Sequence, residues 1–147
     1  MFEAQIKILI SILEEKAELL KVVLNITENQ QALMDFGDYS KEIRDLFTGL
    51  TLEKQENINI ILENDEIFNS TFEKLEDFEN NAKNNRDLVK LLQGKVKAVT
   101  DLDMKLRLAE ENLKTFVRPQ PKSYNKVLAK QLSEKYKNQI KPPGTDQ

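Results

Sequence analysis

The sequence predicts an all-α fold, an elongated antiparallel bundle of about three long helices with a C-terminal tail helix, and three observations carry that reading. All four prolines, Pro119, Pro121, Pro142 and Pro143, lie beyond position 118, so the body holds no obligate helix breaker. Charged residues make up 32% of the 147 residues, whereas glycine and proline number only four each, a balance that suits long solvated helices better than sheets. Apolar residues recur through the body at three- and four-residue steps, the period of one helix face.

The first helix is expected over roughly residues 2 to 34. Ile6, Ile10, Leu13, Ala17, Leu20 and Leu24 form its stripe, widened by Leu9, Ile12, Leu19 and Val23. A stop follows at Asp35-Phe36-Gly37-Asp38. Gly37 can adopt the left-handed conformation that ends helices, and Asp38 or Ser40 can accept the first amide hydrogens of the next one. The second stretch runs through Ile43, Phe47, Leu50, Ile58, Ile61, Leu62, Phe68, Phe72 and Leu75. Its phase weakens near Gly49 to Thr51 and near Asn64-Asp65, and either place is a candidate break.

The third stretch is the most regular. Leu88, Leu92, Lys95, Val99, Leu102, Leu106, Ala109, Leu113 and Phe116 step by four and three throughout, the spacing of a coiled-coil seam. Lys95 alone interrupts it, either as a side chain that carries its charge out to water or as a local opening that receives another helix. The Asn-rich run from Asn80 to Asn85 reads equally as exposed helix or short loop. The phenylalanines at 47, 68, 72 and 78 fall mostly in phase with the stripe, which makes packed core their default reading.

Charge divides the chain at its first prolines. Residues 1 to 117 hold 15 basic and 23 acidic side chains, and residues 118 to 147 hold 7 and 2. An acidic body of residues 1 to 117 thus carries a basic tail of residues 118 to 147. In that tail Tyr124, Leu128, Leu132, Tyr136 and Ile140 recur every four residues among lysines, with Ser123 as a helix cap and Lys141-Pro142 as a stop. Such a short helix is marginal alone, so it folds on a partner or docks on the acidic body. Partner binding is the first reading. Few arginines and no tryptophan speak against nucleic acid or a membrane surface as its target.

The chemistry excluded is broad. Without cysteine or histidine there is no disulfide, no thiolate, no imidazole base and no usual transition-metal ligand. Asp101 and Asp103 are two apart on a helix and diverge, as adjacent Glu14-Glu15 and Glu110-Glu111 do, so none forms a paired-carboxylate site. The isolated glycines build no phosphate-binding loop. No catalytic, cofactor or metal site is expected, and an enzyme is not the reading. The apolar run from Ile6 to Leu13 has neither the basic lead nor the cleavage site of a secretory signal, and no stretch is long enough to span a membrane, which points to the cytoplasm.

The order of features resembles a known family. A first helix containing Leu13-Glu14-Glu15-Lys16-Ala17-Glu18-Leu19-Leu20-Lys21, its polar continuation Glu28-Asn29-Gln30-Gln31-Ala32-Leu33, a Phe-bearing second helix, a last long helix containing Leu102-Asp103-Met104-Lys105-Leu106-Arg107-Leu108-Ala109-Glu110, and a Lys/Tyr tail are similar to the small flagellar export chaperones of the FlgN/FliT type. The resemblance implies a cytoplasmic protein that binds a late export substrate, a hook-associated or filament-cap subunit. It would prevent premature assembly and deliver the subunit to the type III export apparatus. The contact it implies is helix-in-groove, falling by pattern on Tyr124, Val127, Leu128, Leu132, Tyr136 and Ile140. The alternative is a coiled-coil scaffold that dimerises tightly through residues 88 to 116, whereas a monomer or weak homodimer goes with the chaperone.

Overall fold

The structure is a computed structural model that describes residues 1 to 37 and 39 to 117, the side chains of the last two excepted. Its elements are helices α1 (Phe2–Asp35), α2 (Lys41–Glu73), α3 (Phe78–Asn84) and α4 (Arg86–Val117). The all-α bundle read from the sequence is what forms, with no strand among the described residues. The chain divides into two compact units. Among the described residues, one comprises Met1–Lys21 with Asn59–Met104, and the other Val22–Ile58 with residues 105 to 117.

Local chemistry explains the ends. Gly37 stands at φ 77°, and its amide donates to the Met34 carbonyl at 3.2 Å, closing α1 as expected. Ser40 Oγ accepts the amide of Ile43 at 3.4 Å, the bond of a helix N-cap. Asp38, the other candidate, lies outside the described residues. The second helix breaks at neither weak place but runs unbroken from 41 to 73. Most of the Asn-rich run falls in α3, a seven-residue helix that ends at Asn84 and is capped by Asn85 immediately before α4.

Each long helix buries one line of side chains. In α1 the line is Phe2, Ile6, Leu9, Leu13, Leu20, Val23, Thr27, Gln30 and Met34, at 8% exposure or less. Leu9 and Val23, expected at the margin, are wholly buried, while Ala17 and Leu24 lie half-buried beside them. In α4 the expected seam holds as far as Leu113. Leu92, Val99 and Leu113 are buried, the positions between them half-buried, and most of the rest exposed.

The second unit shows how the register is set. Thr27 faces Lys54 and Gln30 faces Thr51, so three residues forward on α1 are three residues back on α2, the signature of an antiparallel pair. Met34, Phe47 and Leu113 then close a small core from α1, α2 and α4, with Leu33 and Tyr39 packed against it.

Candidate functional site

Two places depart from a plain apolar seam. The first is a polar layer in the second unit, built from Thr27 and Gln30 of α1, Thr51 and Lys54 of α2, and Glu110 of α4. Lys54 is only 1% exposed. Its Nζ donates to Gln30 Oε1 at 2.6 Å, Thr27 Oγ1 at 3.3 Å and Glu110 Oε2 at 3.2 Å. Gln30 uses its other end to donate from Nε2 to Thr51 Oγ1 at 2.8 Å, and Thr51 Oγ1 donates onward to the Phe47 carbonyl at 3.1 Å. Thr27 Oγ1 lies 2.9 Å from the Val23 carbonyl and 3.1 Å from Glu110 Oε2, with one hydrogen to share between them.

Burial governs the charge of this layer. Removal from water lowers the Lys54 ammonium from 10.5 to about 8, an effect that the attraction and hydrogen bond of Glu110 only partly offset. At neutral pH the lysine therefore remains charged and Glu110 serves as its counter-ion. Chemically the layer holds and aligns helices. Its cation is already surrounded by acceptors and sealed from solvent, so it offers no nucleophile or base to a substrate.

The second place is a run of aromatic rings in the first unit. Phe68 and Phe72 of α2 stack with centroids 6.3 Å apart, Phe72 lies 6.2 Å from Phe78 of α3, and Phe78 meets Phe2 of α1 edge-on at 5.8 Å. Packed core was the expectation for these rings. Phe47 meets it, but Phe72 is 47% and Phe78 40% exposed, so that reading is corrected. The reason is position. Phe72 stands in the last turn of α2, and α3 contributes no fully buried residue to cover it. Beside the buried Phe2, an open depression of about 410 Å³ is lined by Met1, Gln5, Lys74, Glu76 and Asn81.

The remaining candidates resolve simply. Lys95 is half-buried and carries its ammonium to Glu14 Oε2 at 3.0 Å, the behaviour of a side chain reaching toward water. Asp101 pairs with Lys97 at 3.2 Å on an exposed helix face. Among the described residues no three acidic side chains converge as a metal site would need, and no helix is long and apolar enough to cross a membrane. Tyr124, Val127, Leu128, Leu132, Tyr136 and Ile140, the sequence-predicted contact residues, lie outside the described residues.

Sequence reasoning missed the polar layer. The signal was present: continuing the four-three step from Phe47 lands on Thr51, Lys54, Ile58 and Ile61. The apparent loss of phase near Thr51 is a seam whose occupants are polar. Comparison of the chain with protein-family models, curated proteins and solved structures gives no match.

Proposed function

We propose that this chain is a non-enzymatic binding protein, a chaperone of the flagellar export type that holds a hook-associated or filament-cap subunit unassembled and hands it to the type III export apparatus. One observation carries the binding reading. The long helices already bury their seams within the chain, yet among the described residues fifteen large apolar side chains, Phe36, Ile67, Phe72 and Phe78 included, remain 40% or more exposed. Scattered exposed apolar residues are ordinary, but linked aromatic rings left open on so charged a body are a feature of protein-contact surfaces.

The all-α bundle is the fold class that the resemblance implies, and the identification itself rests on that resemblance. The scaffold alternative is weakened by the same packing. Leu92, Val99 and Leu113 of the α4 seam are buried against the chain itself, so that seam is not free to pair with a second copy. On this reading the protein works in the cytoplasm, and its basic tail supplies part of the contact.

The test is direct. The purified chain is mixed with purified hook-associated and cap subunits, and complex mass is measured by light scattering. The chaperone reading expects a 1:1 complex with one of them and a monomer or weak dimer alone. A tight dimer that takes up none of these subunits would support the scaffold instead.

A further inference from the structure

The aromatic run and the charges beside it describe an interaction surface. Phe72 stands in the last turn of α2 and Phe78 begins α3, and the segment between them contains Asp77 in the left-handed backbone at φ 47°. Four carboxylates, Glu73, Glu76, Asp77 and Glu79, stand within the seven positions from 73 to 79, accompanied by the single cation Lys74, and all five are exposed. Two half-open rings thus stand beside and within an exposed acidic stretch of the chain.

We infer that this patch, the exposed faces of Phe72 and Phe78 with the acidic stretch of Glu73, Glu76, Asp77 and Glu79, docks a basic amphipathic segment of a partner polypeptide. The inference rests on the reading of the chain as a binding protein and adds where the partner sits and what its chemistry is. Charge complementarity selects the occupant. An aromatic or aliphatic anchor of the partner fills the space against the rings while its lysines or arginines meet the carboxylates, which steer the encounter and fix its orientation. The same carboxylates disfavour two other occupants. A second copy of this patch brings like charge against like, and an anionic lipid surface is repelled for the same reason.

The local build suits such a role. α3 has only seven residues, too few to persist without support, and buries none of them fully. It is tied down by the edge contact of Phe78 with the buried Phe2 and by short-range amide bonds, Asn81 Nδ2 to the Glu76 carbonyl and Asn85 Nδ2 to the Asn81 carbonyl, both at 2.8 Å. A partner that covers Phe72 and Phe78 therefore adds contacts to a helix that buries none of its own residues fully.

The experiment uses the full chain and two synthetic peptides of about 18 residues, one with Leu and Phe on one helical face and Lys on the other, and one with Glu in place of every Lys. Fluorescence anisotropy is expected to show binding of the basic peptide only, weakening as salt rises. Phe72→Ser and Phe78→Ser should each weaken it by about tenfold or more. Reversal of Glu73, Glu76 and Glu79 to Lys should weaken binding and flatten its salt dependence. Circular dichroism melts check that each variant is folded. Hydrogen exchange on the unaltered chain provides a second reading, with added protection expected over residues 68 to 81 when the basic peptide is bound.

Equal binding of the acidic peptide, full binding by both Phe variants, or protection confined to other segments would overturn the assignment. So would an intramolecular crosslink from a tail lysine to Glu76 or Glu79 in a chain that binds neither peptide, since the occupant would then be the chain's own tail. The two proposals fail separately. A flagellar subunit that binds the Phe variants as well as the original chain removes this site and leaves the chaperone reading; basic-peptide binding at the patch without capture of any flagellar subunit does the reverse.

Discussion

The polar layer around Lys54 and the aromatic run around Phe72 are opposite departures from the same pattern. Thr51, Lys54, Phe68 and Phe72 all lie on the four-three line of α2 that begins at Phe47. At 51 and 54 the line carries polar side chains and buries them almost completely; at 72 it carries a phenylalanine and leaves it 47% exposed. Seam phase fixes the direction in which a side chain points. Whether it is buried depends on what the neighbouring helices place opposite, and α1 and α4 supply Thr27, Gln30 and Glu110 around Lys54, whereas Phe72 meets Phe78 of the short α3, which buries none of its residues fully.

The largest test of this contrast is to break the polar layer one member at a time. Glu110→Ala leaves Lys54 buried without its counter-ion and should destabilise the protein by about 3 kcal/mol, measured by urea denaturation. Replacing the whole layer, Thr27→Val, Gln30→Leu, Thr51→Val, Lys54→Met and Glu110→Leu together, should cost far less or stabilise, because no polar group is then left stranded. If the single and the combined changes cost the same, the layer is not a coupled network and the contrast with the aromatic run is only one of composition.

The pH dependence of stability sharpens the same point. Lys54 binds its proton more weakly in the folded protein, near pH 8, than in the unfolded chain, near 10.5. Unfolding between those values takes up a proton, so stability gains from this group as pH rises from 8 toward 10.5, by up to about 1.4 kcal/mol per pH unit. Below pH 8 lysine is charged in both states and its contribution is flat. The difference in unfolding free energy between the native chain and Lys54→Met cancels other titrations, and an absent slope in that difference would show that Lys54 is not shielded from water.

Phe72 should behave in the other manner. Truncation of a buried ring costs about 3 to 5 kcal/mol, the scale expected for Phe47→Ala, whereas the half-open Phe72 should lose only about 1 to 2 kcal/mol. Comparing the two denaturation midpoints, with helicity checked by circular dichroism, is the measurement. A loss at Phe72 as large as at Phe47 would mean that the ring is core after all.

These contrasts also show why the fold was legible and the site was not. The absence of proline before 119 and the stepping of Leu88, Leu92, Val99 and Leu113 are properties of one helix at a time, so sequence alone reveals them. The turn at Gly37 is likewise local, because it needs one residue that tolerates positive φ. Lys54 escaped notice since its burial depends on partners 24, 27 and 56 positions away, at Gln30, Thr27 and Glu110. Phe72 was placed in the core because its phase is correct, and nothing in phase reports that α2 ends one residue later. The predicted contact residues from Tyr124 to Ile140 lie beyond the described residues, so the two places found here stand beside that expectation and do not replace it.

The smallest expected effect concerns backbone alone and places one probe in each unit. Gly49 lies inside α2 within the unit that holds the polar layer, and Gly94 inside α4 within the unit that holds the aromatic run. A methyl group added at either meets no atom within 4 Å beyond its chain neighbours and the adjoining backbone of its own helix, so neither glycine serves close packing. Alanine removes the conformational freedom that glycine gives the unfolded chain and favours the helix, by about 0.5 to 1 kcal/mol per site. Having no shared partner, the two substitutions should add. Hydrogen exchange separates their reach: if each raises protection only within its own unit, the polar layer and the aromatic run belong to separately opening parts, whereas equal gains throughout would make them one cooperative structure. The expected result is a rise in stability from both, because what differs between the units is the side chains on their seams and not the helical backbone that both substitutions strengthen.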